Sequence, residues 1–290
     1  MKSIINYHVI DSTNIGDLSS APTKYFDFPG YTVKQADIRE IDLNKARDKY
    51  IIVGGGGLFF SPFLKSFSKL IKAKTGIKLI AWGIGQQIYG HSFSHQELRD
   101  FNYSQYLENF DLIGIRDFIN KHNWVPCASC MHPAFDQKRD IKHEFVVFSH
   151  KKFQIKIRDF PIMTNNSQNI EEILNFLGSG ATILTSSYHG AYWGTLLRRK
   201  VLCFPFSSKF YTLKHTPAIF PVQKWLQPKI KFSLFNKTVL DLRYENKFSC
   251  KTDDWQNYIK DCKVYPESLN ECRERNHWYY SQVLNNLADS

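Results

Sequence analysis

The sequence predicts an α/β fold made of two doubly wound halves, with a cleft between them and closing helices at the C-terminus. Three observations predict it. Short apolar, β-branched runs alternate with helical patterns along most of the 290 residues, as in parallel sheets. A polar stretch over 135–144, with Asp136, Lys138, Arg139, Asp140, Lys142 and His143, separates one such series from a second. Residues 182–206 read as strand, tight turn, helix, strand.

Residues 4–10 form the first expected strand, and the loop 11–17 after it is dense in cap and turn residues. Strands follow at 31–37 and 50–53, the latter running into Gly54-Gly55-Gly56-Gly57. A helix is expected over 63–74, stopped by Gly76, then a strand over 78–82 ending at Gly83-Ile84-Gly85. Residues 94–108 read as helix and 111–115 as strand, followed by Arg116-Asp117 and a short helix. A strand at 145–148 opens the second half, and 169–177 is an amphipathic helix ended by Gly178. In the next unit Ser186 and Ser187 are good N-caps, 191–199 suits a buried helix and 201–206 a second apolar strand. Residues 255–262 and 269–287 read as closing helices. The expected domains are 1–143, 144–250 and 251–290.

Hydrophobic residues make up 43% and aromatic residues 15% of the chain, enough for a sizeable core and against global disorder. The formal net charge of +11 suits a polyanionic substrate, a membrane surface or nucleic acid. It is spread without a long Lys/Arg run, which also fits a merely solvated basic surface. No apolar run reaches membrane-spanning length, and residues 1–10 enter a strand pattern directly, so no signal peptide is expected. A cytoplasmic chain with at most peripheral membrane contact is the expectation. Of six cysteines only Cys127 and Cys130 are close. No second pair matches them, so structural thiols are favoured over zinc or redox chemistry.

His189 stands at the carboxyl end of a strand and at a helix mouth. Ligands bind at that sheet edge, and helix N-termini seat anions. With Ser186, Ser187, Tyr188 and Gly190 it offers a titratable ring, hydroxyls and exposed N–H groups. A satisfied core histidine is the plainer reading. Asn14-Ile15-Gly16-Asp17 follows the first strand, and Asp17 suits either holding a hydroxyl or stabilising a helix start. Gly55 and Gly56, and Gly83 and Gly85, either expose backbone to a ligand or allow close packing. The run at 54–57 matches neither a dinucleotide nor a P-loop spacing. Arg116 offers a planar fork for an anion and Lys209 a mobile point charge. No metal cluster is visible.

Asn14-Ile15-Gly16-Asp17, the run at 54–57, Trp82-Gly83-Ile84-Gly85, Arg116-Asp117, Pro133-Ala134-Phe135, Ser186-Ser187-Tyr188-His189-Gly190 and Lys209 together resemble the polysaccharide pyruvyl transferase family, over roughly residues 6–215. The resemblance implies a GT-B-like fold of two Rossmann-like domains. It implies transfer of the pyruvyl group of phosphoenolpyruvate, as a ketal, onto two hydroxyls of a polysaccharide, oligosaccharide or lipid-linked glycan. It needs no cofactor beyond that donor. The essential histidine of the family falls on His189 and its acidic loop on Asn14 and Asp17. Two departures stand out. Ser187 occupies a place where many members carry arginine, which leaves Arg116 or Lys209 to hold the anion. His132 stands where many carry an acid. The rival readings are a glycosyltransferase using a nucleotide sugar and a non-catalytic binder of acidic glycan or nucleic acid. No nucleic-acid motif supports the last.

Overall fold

The computed structural model describes residues 2–46, 50–73, 78–119, 122–227, 229–234, 237–243 and 247–288. The chain runs β1 (Lys2–His8), α1 (Ile15–Leu18), β2 (Tyr31–Asp37), α2 (Leu43–Ala46), β3 (Tyr50–Val53), β4 (Gly56–Phe59), α3 (Leu64–Ala73), β5 (Leu79–Gln86), α4 (His95–Arg99), α5 (Ser104–Leu107), β6 (Leu112–Ile115) and β7 (Asn123–Trp124). It continues β8 (His143–Ser149), β9 (Phe153–Gln154), β10 (Ile162–Thr164), α6 (Ile170–Gly178), β11 (Gly180–Thr185), α7 (Tyr188–Leu196), β12 (Lys200–Cys203) and β13 (Ala218–Ile219). A hairpin, β14 (Lys229–Leu234) and β15 (Lys237–Arg243), then β16 (Phe248–Ser249) and α8 (Ser268–Ala288) complete it.

Two parallel sheets carry the architecture. The first has seven strands in the order β2-β1-β3-β5-β6-β7, with β4 paired to β5. The second has five, β10-β8-β11-β12-β13. Counted along the main path of each sheet, both begin second-first-third-fourth-fifth, an order of doubly wound sheets. The order reverses between β1 and β3 in one sheet and between β8 and β11 in the other. Their central strands read as near-continuous apolar runs because both faces are covered: Ile51, Ile52 and Val53, and Ile183 and Leu184, are fully buried.

α8 closes the molecule. Its Tyr279, Val283 and Leu287 pack with Ile4, Ile80 and Trp82 of the first half. The Tyr279 hydroxyl donates to the Ala81 carbonyl at 2.6 Å, and the Trp82 indole to Asn276 Oδ1 at 2.9 Å. The two sheets are also tied beside the strand ends: Ile15 N donates to the Ser167 carbonyl, Gly90 N to Phe206 and Phe118 N to Thr212.

Several boundaries differ from expectation for physical reasons. The region expected as one helix over 94–108 is two short helices. Ser94 and Glu97 form a capping box that starts α4, and α5 begins afresh at Ser104. The segment 255–262 is 3-10 rather than α-helical over Trp255–Asp261. α7 starts at Tyr188, not 191, because Ser187 caps it by accepting from Gly190 N. It ends at Leu196, since Arg198 takes a left-handed φ of 58°. Arg199 N then donates to the Gly194 carbonyl, and Arg198 N to Thr195, a Schellman closure usually built on glycine. The expected helix over 63–74 is seen as α3; Lys74 and its expected stop Gly76 lie outside the described residues.

Candidate functional site

The carboxyl ends of both sheets face one cavity of about 120 Å³. Asn14 reaches it from the loop after β1, Asp17 from α1, Gly57 from β4, Gln87 and Tyr89 from beyond β5, and Arg116 from the end of β6. From the other sheet come His150 after β8, Asn165 after β10, Ser187, Tyr188 and His189 after β11, and Phe206 and Lys209 after β12. Both topological switch points thus open onto the same space, where α/β sheets bind ligands.

Seven residues predicted from sequence line this cavity together: Asn14, Asp17, Arg116, Ser187, Tyr188, His189 and Lys209. The others stand behind it. A Cβ at Gly16 would lie 2.2 Å from His189 Nδ1, so only glycine lets the loop rest against the imidazole. A Cβ at Gly85 would come within 2.6 Å of Asp117 Oδ1 and 2.7 Å of Arg116 Nε, and one at Gly190 within 2.4 Å of Thr185 Oγ1. Gly55 passes against the Ser20 carbonyl, and Gly56 and Gly83 take positive φ. Ser186 is spent on backbone: it accepts from His150 N and donates to the Phe153 carbonyl.

The cavity is cationic and incompletely satisfied. Arg116 is 3% exposed, with its guanidinium carbon 4.0 Å from the centroid of the Tyr188 ring. Its Nε and Nη2 are buried without a hydrogen-bond partner. The neighbouring Asp117 is committed elsewhere, accepting from Gln86 N, Tyr103 and Thr212. A buried guanidinium with idle donors costs several kcal/mol unless an anion completes it. Lys209 Nζ sits 4.7 Å from the Phe206 ring centroid and donates to Gln87 Oε1 at 3.4 Å. Burial and then Arg116 pull its ammonium below the usual lysine range, while Asp17 raises it.

His189, the second residue of α7, is 7% exposed and open to the cavity rather than sealed in the core. Burial first, then Arg116 and Lys209, push its imidazole well below the ordinary histidine value, so it rests neutral. Its Nε2 lies 3.7 Å from Cys127 Sγ, and its ring centroid 4.9 Å from that of Trp193. Asp17 accepts from Asn14 Nδ2 at 2.7 Å. Burial raises its carboxyl above the usual range, and Lys209 opposes this. Asn165 Nδ2 donates to Asn14 Oδ1 at 3.3 Å, joining the two halves at the cavity wall.

Sequence reasoning did not single out His150, Gln87, Tyr89, Asn165 or Phe206. His150 follows β8 as the Ser187-Tyr188-His189 segment follows β11, so the same strand-end rule reaches it. Its Nδ1 accepts from Lys152 N at 3.1 Å, and its imidazole is held down to about 3 by burial and then by Lys209. Tyr89 is 55% exposed at the rim, braced by Phe60 and by a β-bridge to Ser207.

All six cysteines are free thiols, and Cys127 and Cys130 are fully buried. Among the described residues no group of three or more His, Cys, Asp or Glu is placed to hold a metal ion. Nor is any helix among them long and apolar enough to cross a membrane. No family model matches the chain, and no curated protein does.

Proposed function

We propose that the protein is a GT-B-like pyruvyltransferase, with Rossmann-like domains at 1–143 and 144–250 followed by the helical segment 251–290. It transfers the pyruvyl group of phosphoenolpyruvate to two hydroxyls of a sugar in a polysaccharide, oligosaccharide or lipid-linked glycan. We place it in the cytoplasm, with peripheral membrane contact where the acceptor is lipid-linked. One observation carries the reading: a buried Arg116 with two idle donors shares a small polar cavity with Lys209, a neutral His189 and Asp17.

Phosphoenolpyruvate carries a phosphate and a carboxylate, and Arg116 and Lys209 are the cations to hold them. Its negative charge offsets two of the three causes that keep His189 neutral. The imidazole therefore gains a proton when the donor arrives. It then gives a proton to the methylene carbon, forming the methyl C–H bond and an oxocarbenium-like carbon. One acceptor hydroxyl adds there, and its proton passes to Asp17, whose raised carboxyl value suits a proton acceptor. Phosphate leaves with the electron pair of its C–O bond, and the second hydroxyl closes the ketal as its proton passes to the departing phosphate. Such acid–base help is worth about 10²–10⁴-fold, and holding both hydroxyls in place contributes at least comparably. The exposed ring of Tyr89 is the natural rest for the acceptor sugar at the rim.

Incubation with acceptor glycan and either phosphoenolpyruvate or UDP- and GDP-sugars, read by mass spectrometry, tests this. A gain of about 70 Da with phosphoenolpyruvate supports it. Hexose increments with a nucleotide sugar replace it with glycosyl transfer. Salt-sensitive binding without product, indifferent to His189→Ala, replaces it with a non-catalytic binder.

A further inference from the structure

We infer that Cys127, directed by Trp193 and Ser129, sets which nitrogen of His189 carries the proton. Trp193 Nε1 lies 3.0 Å from Ser129 Oγ. An indole N–H only donates, so the serine oxygen accepts there. The Ser129 hydroxyl hydrogen is then free for Cys127 Sγ, 3.2 Å away. With Sγ accepting from Ser129, the thiol hydrogen is left for His189 Nε2, at 3.7 Å. Every donor in the chain Trp193→Ser129→Cys127→His189 thus points one way. Cys127 and Ser129 are 0% exposed and Trp193 is 1% exposed, so water does not compete for these bonds.

A neutral imidazole that accepts at Nε2 carries its proton on Nδ1. Nε2 is turned to a fully buried thiol, and Nδ1 lies against Gly16, which sits in the chain between the cavity-lining Asn14 and Asp17. Trp193 stands one helical turn beyond His189 on α7, so one rigid helix holds both the histidine and the start of its relay. The C-x-x-C spacing that suggests metal or redox chemistry in sequence serves here as a positioning device. Cys130 is turned away from the histidine, toward Asn276 Nδ2 at 3.4 Å. The catalytic consequence rests on the proposed pyruvyl transfer: the proton taken up with the donor goes to Nε2, which then donates to Cys127 Sγ, and Nδ1 is the atom that gives its proton to the donor, leaving the ring neutral with its proton on Nε2. The tautomer itself does not depend on that reading.

The test is ¹⁵N NMR of the unliganded full chain labelled at histidine, with the His189 signals assigned by their loss in His189→Gln. The Nδ1–H tautomer is expected, and Cys127→Ala should shift the ring toward Nε2–H. A wild-type Nε2–H tautomer overturns the inference. Infrared difference spectra of wild type minus Cys127→Ala give a second readout. The S–H stretch should sit below that of a free thiol, and an unshifted band counts against the relay. If Cys127→Ala does not fold, the wild-type NMR spectrum decides alone. Neither readout uses transfer activity, so a negative mass-spectrometric assay and a wrong tautomer are separate failures.

Discussion

Replacing Gly16 by alanine should cripple catalysis while leaving the fold almost intact. The added Cβ would lie 2.2 Å from His189 Nδ1, 2.7 Å from Cγ and 2.9 Å from Cε1. Ordinary carbon contacts begin near 3.4 Å, so the imidazole must retreat by about 1.2 Å, the difference between the two. It has little room to do so, with Cys127 Sγ at 3.7 Å and the Trp193 ring packed against it. A displacement of about 1 Å at a reacting group costs on the order of 10²-fold in rate. Gly16 lies in the short helix α1, and it is not among the positive-φ glycines. Alanine there gains about 1 kcal/mol in helix propensity against roughly 1–3 kcal/mol of overpacking. Net destabilisation should therefore stay below about 2 kcal/mol. The assay pairs the initial rate of pyruvyl transfer with thermal unfolding of the same sample. A wild-type rate in a folded Gly16→Ala protein would refute the placement of His189 at the reacting atoms.

Arg116→Met should weaken phosphoenolpyruvate binding by roughly 10- to 100-fold in calorimetry, the worth of a charge-assisted contact. The same variant should raise the unliganded melting temperature, because a buried cation with idle donors is removed. Binding of phosphoenolpyruvate near pH 7 should take up protons, since the ligand's charge lifts His189 from its depressed value. Calorimetry in two buffers of different ionisation enthalpy reads this, and His189→Gln should reduce it, leaving the share of Lys209, whose ammonium is held down to about 7. The free fold should lose stability as pH falls below about 6.5, where the unfolded state binds protons that neutral His189 and His150 refuse. Each contributes up to about 1.4 kcal/mol per pH unit, and the His150 contribution ends near its folded value of about 3. Urea unfolding between pH 7 and 5 measures the slope, and His150→Gln should remove its share, leaving that of His189.

The strands were legible because buried parallel strands are uniformly apolar, and so was His189, since a polar cluster after such a strand marks a ligand edge. The convergence of Asn14, Asp17, Arg116 and Lys209 on it follows from the strand order of the two sheets, which periodicity does not reveal. Gln87 and Asn165 are ordinary loop residues by type, and only their places beyond β5 and β10 make them wall residues. The start of α7 was hidden by Gly190, a poor helix former that is there because Thr185 and Phe148 leave no space for a side chain. Its end was hidden by Arg198, which takes the left-handed position where glycine is expected. The relay from Trp193 to His189 has no linear signal at all, because residues 127–129 and 189–193 meet only in the folded chain.

A crystal structure of the protein soaked with phosphoenolpyruvate decides where the donor sits. The donor should lie in the cavity between the two sheets, with its anionic groups on Arg116 and Lys209 and its methylene carbon beside His189 Nδ1. Density for the donor anywhere else, or a filled cavity with the idle guanidinium donors still unengaged, would contradict that placement.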